Sequence, residues 1–587
     1  MSYDGIVFRA LALELDAQLR NARIRRVHQP AAHEIRLACH RPGSEPVLLV
    51  SVDPSRPRVH LSEARAENPL KAPNFCMLLR KHLVPGRILG VRQIAMERIL
   101  VIEVEATSEL GARVVRELHI ELMGRHSNLL LIDPDTATIL DGLRRVGADL
   151  SRRREVAPGA PYIPPPPQQK RDPLAEGAAE FAFALRHTPS DQPLSARLLE
   201  LYEGFGKLAA RELLVRAGFD PEARRDALDA GGGERLWRAF AELMGYVREG
   251  RFAPAVCVDK AGVPQAFWAF PPAQFTLTVQ RCAGMSAALA AYFEPRLALE
   301  RVDQLRRRLL AVTERALEKV RKKAELQRAA LAQSEAAAHL RKCGELLLAF
   351  AHQIPAGAES ALVSDYYDPA GATLAIPLDP EQTPAENAQG YFRRYEKAKR
   401  TQAALGEEYA RTEAERNYLE AVESALELAD DEPALHEIEA ELTDGGYLAD
   451  PKRAAKSKEP VISRPRRYIA LDGTTLLVGR NNRQNDQLTL RTADERDLWL
   501  HTKEIPGSHV VIRSGGREVA PETLELGALL AARYSKARAG SNVPVDYCER
   551  RYVRKPRGAK PGMVIYDHQK TLYVTPDDAR TAELVRA

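Results

Sequence analysis

The stretch LWLHTKEIPGSHVVIR, residues 498 to 513, alternates apolar and polar positions on both sides of a Pro-Gly-Ser turn. Because successive side chains of a strand point to opposite faces, this alternation predicts two strands joined by that turn. Leu498 and Leu500 are predicted to lie on one face. The side chains predicted to line the opposite face are Trp499, His501 and Lys503 on the first strand and His509, Val511 and Arg513 on the second.

The only nucleophile next to a base in this stretch is Ser508, which precedes His509. Neighbouring residues of a strand point to opposite faces, so this dipeptide is poor evidence for a catalytic pair. The stretch is therefore more typical of a binding surface than of an active site. We predict that the protein is not an enzyme.

Residues 1–168 are predicted to form a mixed α/β domain. ILVIEVEA (99–106) and RELHIELM (116–123) have strand patterns, and NFCMLLRKHL (74–83) has the apolar spacing of a helix. The domain ends in PGAPYIPPPP, whose prolines cannot continue a helix or a sheet and predict a stiff linker.

Residues 171–285 are predicted to be mostly helical. Within them, residues 198–218 place Gly204-Phe205-Gly206 between two helices with apolar periodicity. This pattern is typical of a helix-hairpin-helix, whose glycine turn lets backbone amides approach a phosphate. An ordinary turn between two helices explains the pattern equally well.

Residues 290–430 are predicted to form a long antiparallel coiled-coil hairpin with a small tip. The apolar positions of 297–352 and of 387–428 step by threes and fours among many charged residues. Two helices buried in a compact domain would need more apolar surface than alanine and charge supply. With an α/β domain over 455–587, the fold class predicted is multidomain α+β.

Charge is segregated along the chain, although the formal net charge of the 587 residues is only +5. Residues 451–587 contain 26 Lys and Arg against 16 Asp and Glu, whereas residues 401–450 contain fifteen acidic and two basic residues. Basic density of this kind suits phosphate backbones, whose binding is driven by counterion release. The alternative is an ordinary solvated basic face.

Six scattered cysteines without a C-x-x-C motif predict a reduced, cytoplasmic protein without structural zinc, and we expect no metal and no cofactor. The N-terminus lacks the basic and apolar segments of a signal peptide. No run of about eighteen apolar residues occurs, so no membrane partner is expected.

Several motifs, taken in order, resemble the NFACT family from one end of the chain to the other. In the N-terminal region these motifs are MSYDGIVFRAL, NFCMLLRKHL and ELMGRHSNLLLID (121–133). LDPEQTPAENAQGYFRRYEKAK (378–399) resembles the family's entry into the second coiled-coil helix. The motifs that resemble its C-terminal RNA-binding domain are VGRNNRQND (478–486), LHTKEIPGSHVVIR, AARYSKA and VDYCERRYVRKPRGAKPGMVIYDHQKTLYV (545–574).

The resemblance implies a role in ribosome-associated quality control. The expected partners are the large (50S) ribosomal subunit carrying an obstructed peptidyl-tRNA, its 23S rRNA, and a recruited tRNA, with alanine tRNA (tRNA-Ala) as the species. A small S4-like RNA-binding protein (RqcP) is a further expected partner, and DNA is not expected. The implied outcome is an alanine tail on the stalled chain, which marks it for degradation, with peptide bonds made by the ribosome.

The resemblance also assigns residues. The family's acidic-arginine pair, usually Asp-Arg, aligns with Glu97-Arg98, so this chain departs from the family at the acid. Arg98 can stack on a base or bind phosphate with its planar guanidinium, and a surface ion pair is the alternative. The further tRNA-binding candidates are Gly124, Arg125, His126 and Asn128.

In the C-terminal domain the resemblance implies an RNA-facing surface. Trp499 would stack on a base, with a place in the core as its alternative. Histidines would donate to phosphate or to a 2′-hydroxyl, and lysines would supply charge. The remaining RNA-binding candidates are Asn481, Asn482, Arg483, His501, Lys503, His509, Lys555, Arg557 and Lys560.

Of three other function classes, the sequence leaves two open, because the chemistry of the first is missing. A mixed N-terminal domain before a helix-hairpin-helix resembles formamidopyrimidine glycosylases, but their chemistry needs an N-terminal proline and a following glutamate, and here Ser2 and Tyr3 follow Met1. A fibronectin-binding surface adhesin would need export, for which no signal is visible. The third alternative is a general RNA- or DNA-binding protein without tailing activity.

Overall fold

The computed structural model describes residues 3–64, 66, 68–108, 110–147, 154–166, 168–189, 192–229, 231–334, 337–369, 372–449, 463–576, 580 and 585–586. The chain divides into two compact units, Met1–Leu299 and Glu300–Ala587. Helices and antiparallel sheets occur in both units, which confirms the multidomain α+β class.

A nine-stranded antiparallel sheet is the centre of the first unit, with the strand order β4-β3-β2-β1-β5-β6-β7-β8-β9. Its order is sequential within β1–β4 and within β5–β9. The strands are β1 Arg23–Ala31, β2 Glu34–His40, β3 Val47–Ser51, β4 Arg58–Leu61, β5 Arg87–Gln93, β6 Ile99–Thr107, β7 Arg113–Glu121, β8 Asn128–Asp133 and β9 Thr138–Gly142.

Two helices cover the apolar face of this sheet. Helix α1, Gly5–Leu19, and helix α2, Asn74–Leu83, bury their apolar side chains in the same core as β1–β8. α2 spans the residues that the apolar spacing predicted. The strand predicted over 99–106 is β6, and the one predicted over 116–123 starts and ends earlier, as β7.

The first unit continues with four helices and a small sheet. The helices are α3 Ala178–Arg186, α4 Leu194–Leu201, α5 Lys207–Arg216 and α6 Gly232–Arg248. The three-stranded sheet has the order β11-β10-β12, with β10 Ala255–Val258, β11 Pro264–Trp268 and β12 Thr278–Arg281.

Helices α4 and α5 lie on either side of Gly204-Phe205-Gly206, as the apolar periodicity predicted, and this glycine turn lies against α1. The Gly5 amide donates to the Gly204 carbonyl at 2.7 Å. A Cβ on Gly5 would lie 2.0 Å from the Met96 carbonyl oxygen and 2.6 Å from the Gly204 Cα. Gly204 also has a φ of +73°, which favours glycine. This turn therefore packs directly against the start of α1 and against Met96 in the turn between β5 and β6.

Asp4 links α1 to the small sheet. Its carboxylate caps α1 by accepting from the Val7 amide at 2.9 Å, and it accepts from the Trp268 indole at 3.1 Å. Asp4 is buried, and this burial raises the pKa of its carboxyl to about 6 against the opposing hydrogen bonds and Arg98. The N-terminal cap is therefore also a contact between distant parts of the unit.

The second unit contains the predicted antiparallel helical hairpin. Its long helices are α7 Met285–Ser334, whose first residues belong to the first unit, and α9 Pro384–Leu428. Arg321 pairs with Glu420 at 2.9 Å and Gln327 donates to Glu408 at 3.3 Å, so numbering rises on one helix as it falls on the other. The tip consists of α8 Ala337–Ala349 and the hairpin of β13 Ser360–Ser364 and β14 Thr373–Pro377.

The C-terminal domain has a seven-stranded sheet with helices on its two faces. The order is β22-β19-β17-β18-β16-β15-β23. Leu500, Val510 and Ile512 pack with helix α12, Pro521–Arg533, on one face. The strands are β15 Arg466–Ile469, β16 Thr475–Val478, β17 Leu498–Thr502, β18 Val510–Ile512, β19 Val543–Glu549, β22 Lys570–Val574 and β23 Val585–Arg586.

The other face of this sheet is covered by short elements. Helix α11, Asn482–Gln487, runs into a π-helical turn at Leu488–Thr492, and β20 Val553–Arg554 pairs with β21 Ile565–Tyr566. Leu488, Trp499 and Val553 pack together there. Helix α10, Glu432–Asp444, follows α9 and precedes the domain in sequence. No described helix has the length and apolarity needed to span a membrane.

We predict that Asp4→Asn changes the pH dependence of stability. A carboxyl whose pKa is raised on folding gives stability that is present below its unfolded pKa and is lost as pH rises through the folded value, here about 6. Asparagine caps helices as well as aspartate does and keeps an acceptor for Trp268. The free energy of unfolding of the natural protein, minus that of Asp4→Asn, should fall by about 2 kcal/mol between roughly pH 4 and pH 7. Urea unfolding followed by tryptophan fluorescence measures it, and a constant difference would contradict the prediction.

Candidate nucleic-acid interface

Glu97 and Arg98 lie in the turn between β5 and β6, and buried side chains hold this turn in place. The buried Gln93 side chain donates to the Glu97 carbonyl at 2.8 Å and to the Gly5 carbonyl at 3.0 Å. Met96, in the same turn, is buried and lies against Gly5 and Gly204. The turn is therefore fixed between the start of α1 and the glycine turn that precedes α5.

The Arg98 side chain is half-buried and makes no hydrogen bond or ion pair with a described residue. It lies within electrostatic reach of Asp4, whose pKa it lowers slightly against the effect of burial. The surface ion pair that was the alternative for Arg98 is thus not formed among the described residues. Its guanidinium donors are available to a ligand.

Glu97 belongs to an acidic neighbourhood. Gln168 donates to its carboxylate at 3.3 Å. The pKa of Glu203 is raised, first by burial and then by Glu97 and Asp172. Glu97 therefore offers acceptors, which suit the amino groups of bases and repel phosphate.

The second group of tRNA candidates lies at the same end of the sheet. Ile99 at the start of β6 pairs with Glu121 at the end of β7, and the Leu122 amide donates to the Arg98 carbonyl at 3.0 Å. Gly124–His126 form a 3-10 turn directly after this point. Two hairpin ends that are far apart in sequence are thereby brought together.

These candidates differ in exposure. Arg125 and His126 are exposed, and the Arg125 Nε donates to the His126 ring at 3.0 Å. Gly124 has a φ of +59°, and no atom lies within 4 Å of the point that a Cβ would occupy, so its backbone is open to solvent. Asn128 is buried and donates to the Arg144 carbonyl at 2.7 Å. Asn128 therefore braces the loop after β9 and presents no free group to RNA.

Trp499, His501 and His509 form one cluster, as the strand alternation predicted, but Trp499 and His509 are buried and His501 is half-buried. Trp499 is 0% exposed and His509 is 2% exposed. The ring centroids of Trp499 lie 5.8 Å from His501 and 5.2 Å from His509. The stacking that we predicted for Trp499 is wrong here, because α11 and the β20–β21 pair cover this face, and the core alternative describes its position.

Burial also changes the protonation of the two histidines. It lowers the pKa of His501 to about 4 and that of His509 well below its usual value. Both are therefore neutral near pH 7, and the His509 Nδ1 is bound at 2.7 Å to the Thr489 hydroxyl. His509 does not supply positive charge to a phosphate.

Asn481, Asn482 and Arg483 bind helix α10, which the sequence interpretation did not foresee. They contact Glu437, Glu441 and Asp444 respectively, and Asn482 reaches Glu441 at 3.0 Å. These three acids are spaced by four and three residues, so they lie on one face of α10. Asn481 and Asn482 are buried, and their predicted contact with RNA is wrong for this arrangement.

Further basic residues of the C-terminal domain bind the same acidic segment. Arg480 pairs with Asp430 and, at 2.8 Å, with Asp431. Lys536 and Arg538 pair with Glu423 at 3.4 Å and Glu427 at 3.2 Å. The basic density that we attributed to phosphate binding is therefore partly neutralised inside the second unit.

Of the four remaining RNA-binding candidates, two contact other side chains and two do not. Lys555 pairs with Asp486, and the Lys560 ammonium lies 5.1 Å from the Tyr418 ring centroid. Lys503 and Arg557 are exposed and make no side-chain bond or ion pair with any residue that the structure describes. These two are the best placed of the predicted RNA-binding residues.

The tip of the helical hairpin carries a basic and aromatic surface that our sequence reasoning missed. YFRRYEKAKR (391–400) has five cationic residues and one acidic residue, and Arg393, Arg394, Lys397, Lys399 and Arg400 are all exposed. An open cavity of about 630 Å³ beside it is lined by Ala338, Arg341, Lys342, Glu345, Tyr367, Tyr395, Lys399 and Gln402. The signal was present as tyrosines interleaved with cations, which is typical of single-stranded RNA surfaces.

Two family models together match nearly the whole chain. The model described as NFACT N-terminal and middle domains matches residues 4–460, and the model described as NFACT protein RNA binding domain matches residues 464–567. Trp499, Lys503 and Arg557 fall in the second match.

Relatives resemble the chain over its full length. The Rqc2 homolog RqcH of Bacillus subtilis (strain 168) is 36% identical over 582 residues, which cover 98% of each chain. The Rqc2 homolog RqcH of Streptococcus pneumoniae serotype 2 (strain D39 / NCTC 7466) is 33% identical over 590 residues, which cover 100% of each. A solved structure of the C-terminal of the fibronectin/fibrinogen-binding protein from Streptococcus suis is 36% identical, covers 48% of this chain and 99% of that one, and has a TM-score of 0.39.

We predict opposite phenotypes for Asn482→Ala and Arg557→Ala. Loss of the Asn482 donor leaves the buried Glu441 carboxylate short of a partner, which should lower the free energy of unfolding by about 1–3 kcal/mol with unchanged RNA affinity. Loss of the exposed Arg557 should leave stability unchanged and weaken RNA binding about two- to threefold. Urea unfolding and fluorescence anisotropy with a labelled RNA measure both. A loss of RNA affinity in folded Asn482→Ala would contradict its assignment to the α10 contact.

Proposed function

The chain belongs to the NFACT family, and on this premise we propose that it is a cytoplasmic factor of ribosome-associated quality control. It binds large (50S) ribosomal subunits that still carry an obstructed peptidyl-tRNA. It recruits a charged tRNA, with tRNA-Ala as the proposed species, and the stalled chain receives an alanine tail that marks it for degradation. The full-length similarity to two RqcH proteins supports this role.

The observation that carries the tRNA part is the open guanidinium of Arg98 beside the Gly124–His126 turn. A planar guanidinium can stack on an unstacked base or bind a phosphate with two donors. The backbone of Gly124 and the donors of Arg125 lie at the same end of the sheet. This end therefore combines charge, a stacking plane and an approachable backbone, which an RNA loop requires.

Glu97 adds selectivity in this proposal. Its carboxylate accepts hydrogen bonds, so it favours a base that presents an amino group and disfavours a phosphate at the same place. The residue is one methylene longer than the aspartate usual in the family, and Gln168 already binds it. Arg98 accordingly supplies the larger share of the tRNA affinity.

In the second unit, the exposed Lys503 and Arg557 and the tip surface serve 23S rRNA. The tip combines cations without ion pairs to described residues, such as Lys399, with the half-exposed rings of Tyr366 and Tyr367. Cations bind the phosphate backbone of RNA, and exposed aromatic rings stack on its unpaired bases. The helical hairpin gives such contacts reach, since its 45-residue helix α9 is roughly 68 Å long.

The protein acts in this proposal as a positioning factor and not as an enzyme. The ribosome forms the peptide bonds, and this chain holds the tRNA and the subunit in place. A small S4-like RNA-binding protein (RqcP) is a proposed further partner.

We predict that Arg98→Ala loses the recruited tRNA. Tagged protein is purified from its own cells at moderate salt, and the RNA that accompanies it is sequenced. The natural protein should enrich 23S rRNA together with one tRNA family. In Arg98→Ala the tRNA should fall at least tenfold while the rRNA remains, because the rRNA contacts lie in the second unit.

Arg113→Ala is the matched control for this experiment. Arg113 is a highly exposed arginine at the start of β7, the opposite end of the strand from Glu121. Its variant should retain the tRNA. Recovery of the same tRNA from Arg98→Ala would overturn the assignment of Arg98, and recovery of DNA or of no RNA would overturn the proposed function.

We also predict that Lys399→Gln weakens the contact with the large subunit. Removal of one phosphate contact should lower the slope of log affinity against log salt by about 1 and release the protein at lower salt. Co-sedimentation with purified large subunits over a salt series measures this. Lys322→Gln, an exposed lysine of α7 that pairs with Glu318 at 2.9 Å, is the control, and equal shifts in both variants would contradict a local contact at the tip.

A further inference from the structure

A second basic surface lies on the first unit, where strands β1 and β5 separate. The two strands pair only at Arg23 and Arg87, and β1 then continues beside β2 alone. Helix α2 covers the edge left open, since the Arg80 Nε donates to the Val27 carbonyl at 2.9 Å. Arg80 is thereby fixed beside the open edge of β1, near His28.

The side chains of β1 that point away from the core are cationic. Ile24 and Val27 are buried in the core, whereas Arg23 and Arg26 are exposed and His28 is half-buried. His28 lies directly opposite Arg36 on β2. We call the surface formed by Arg23, Arg26, His28, Arg36 and Arg80 the β1 basic face.

Little negative charge balances this face. Glu34 pairs with Arg36 at 2.8 Å, but the same carboxylate also pairs with Arg58 at 2.8 Å. Arg23 and Arg26 make no hydrogen bond or ion pair with a described residue.

The pKa of His28 reflects the positive charge that surrounds it. Burial lowers the pKa of its ring, and Arg80, Arg26 and Arg36 lower it further in that order. Three guanidinium groups therefore act on one point of the surface. A flexible polyanion with closely spaced charges is the partner that relieves such repulsion.

We propose that the β1 basic face binds the sugar-phosphate backbone of RNA, as a contact separate from the one at Arg98. The inference rests on the proposed function, because it takes RNA as the ligand. Arginine guanidinium groups bind phosphate oxygens with two donors, and contacts to the backbone position an RNA without reading its sequence. The face supplies orientation, whereas the end of the sheet at Arg98 recognises a loop.

The positions of the two surfaces along the strands support this division. From Arg23 and Arg87, β5 runs six residues to Gln93 at the Arg98 end, and β1 runs five residues to His28 in the opposite direction. At about 3.3 Å per residue, the β1 basic face extends from roughly 20 Å (Arg23) to roughly 36 Å (His28) from Gln93 along the strands. An extended RNA helix can reach both, whereas one loop cannot.

The test compares two neighbouring arginines in the full-length protein. Arg26→Gln removes a side chain of the β1 basic face that has no described partner. Arg25→Gln is its matched control, because Arg25 is also exposed, lies in the register shift between Ile24 and Arg26, and is near Glu45 at 3.8 Å. Binding of a labelled 12-base-pair RNA duplex without loops is measured by anisotropy over a salt series.

Arg26→Gln should weaken duplex binding about three- to tenfold and lower the salt slope by about 1, while Arg26→Lys and Arg25→Gln stay within about twofold of the natural protein. Photo-crosslinking of a 4-thiouridine duplex, followed by mass spectrometry, should recover the tryptic peptide 27–36 of β1. This second readout is local, so RNA bound to the second unit does not conceal the result.

Equal losses in Arg25→Gln and Arg26→Gln, or no crosslink to the β1 peptide, would overturn the proposal. If Arg26→Gln loses affinity for a DNA duplex of equal length to the same extent, the face binds polyanions in general and not RNA. This result would also overturn the proposal. Failure of the proposed function looks different: no tRNA or rRNA accompanies the natural protein from cells, whatever Arg26→Gln does to the duplex. If the face alone fails, tRNA is still lost in Arg98→Ala and duplex binding is unchanged in Arg26→Gln.

Discussion

The contact between an acidic helix end and a basic domain determines how the second unit is built. The end of α9 and one face of α10 present carboxylates, and the C-terminal domain meets them with Arg480, Asn482 and Lys536, among others. Opposite charges at this short range attract strongly when they are partly buried, because water screens them less. This contact pairs cations that would otherwise be free. Only the cations outside it can therefore face an external ligand.

The residues that remain open follow from this constraint. Lys503, Arg557 and the cations of the hairpin tip lie outside the contact, and they are the charges available to ribosomal RNA in the proposed function. The aromatic cluster of Trp499, His501 and His509 has a structural role. It fills the second face of the sheet under α11, where burial keeps both histidines neutral. The most conspicuous motif of the chain is thus mainly a structural one.

In the first unit, close packing of backbone segments holds the elements around Arg98 together. Gly5 and Gly204 allow α1, the β5–β6 turn and the glycine turn before α5 to meet without side chains between them. Because Gln93 bonds to both sides of this junction, Arg98 is presented from a fixed base and not from a loose loop. Rigid support of this kind suits the RNA recognition that the proposed function assigns to Arg98.

Local patterns in the sequence determined the elements of this protein. The apolar spacing of 74–83 predicted α2, the alternation around 498–513 predicted two strands and their shared face, and the steps by threes and fours predicted the helical hairpin. Such patterns depend on the period of a single helix or strand, and a linear sequence contains that period in full. The family motifs likewise predicted the family, which the comparisons confirm. What the sequence did not reveal was the partner of each polar side chain. Asn481 and Asn482 contact α10, Asn128 braces a loop, and Trp499 is covered. Each of these outcomes depends on residues 16 to 67 positions away that only the tertiary structure brings near.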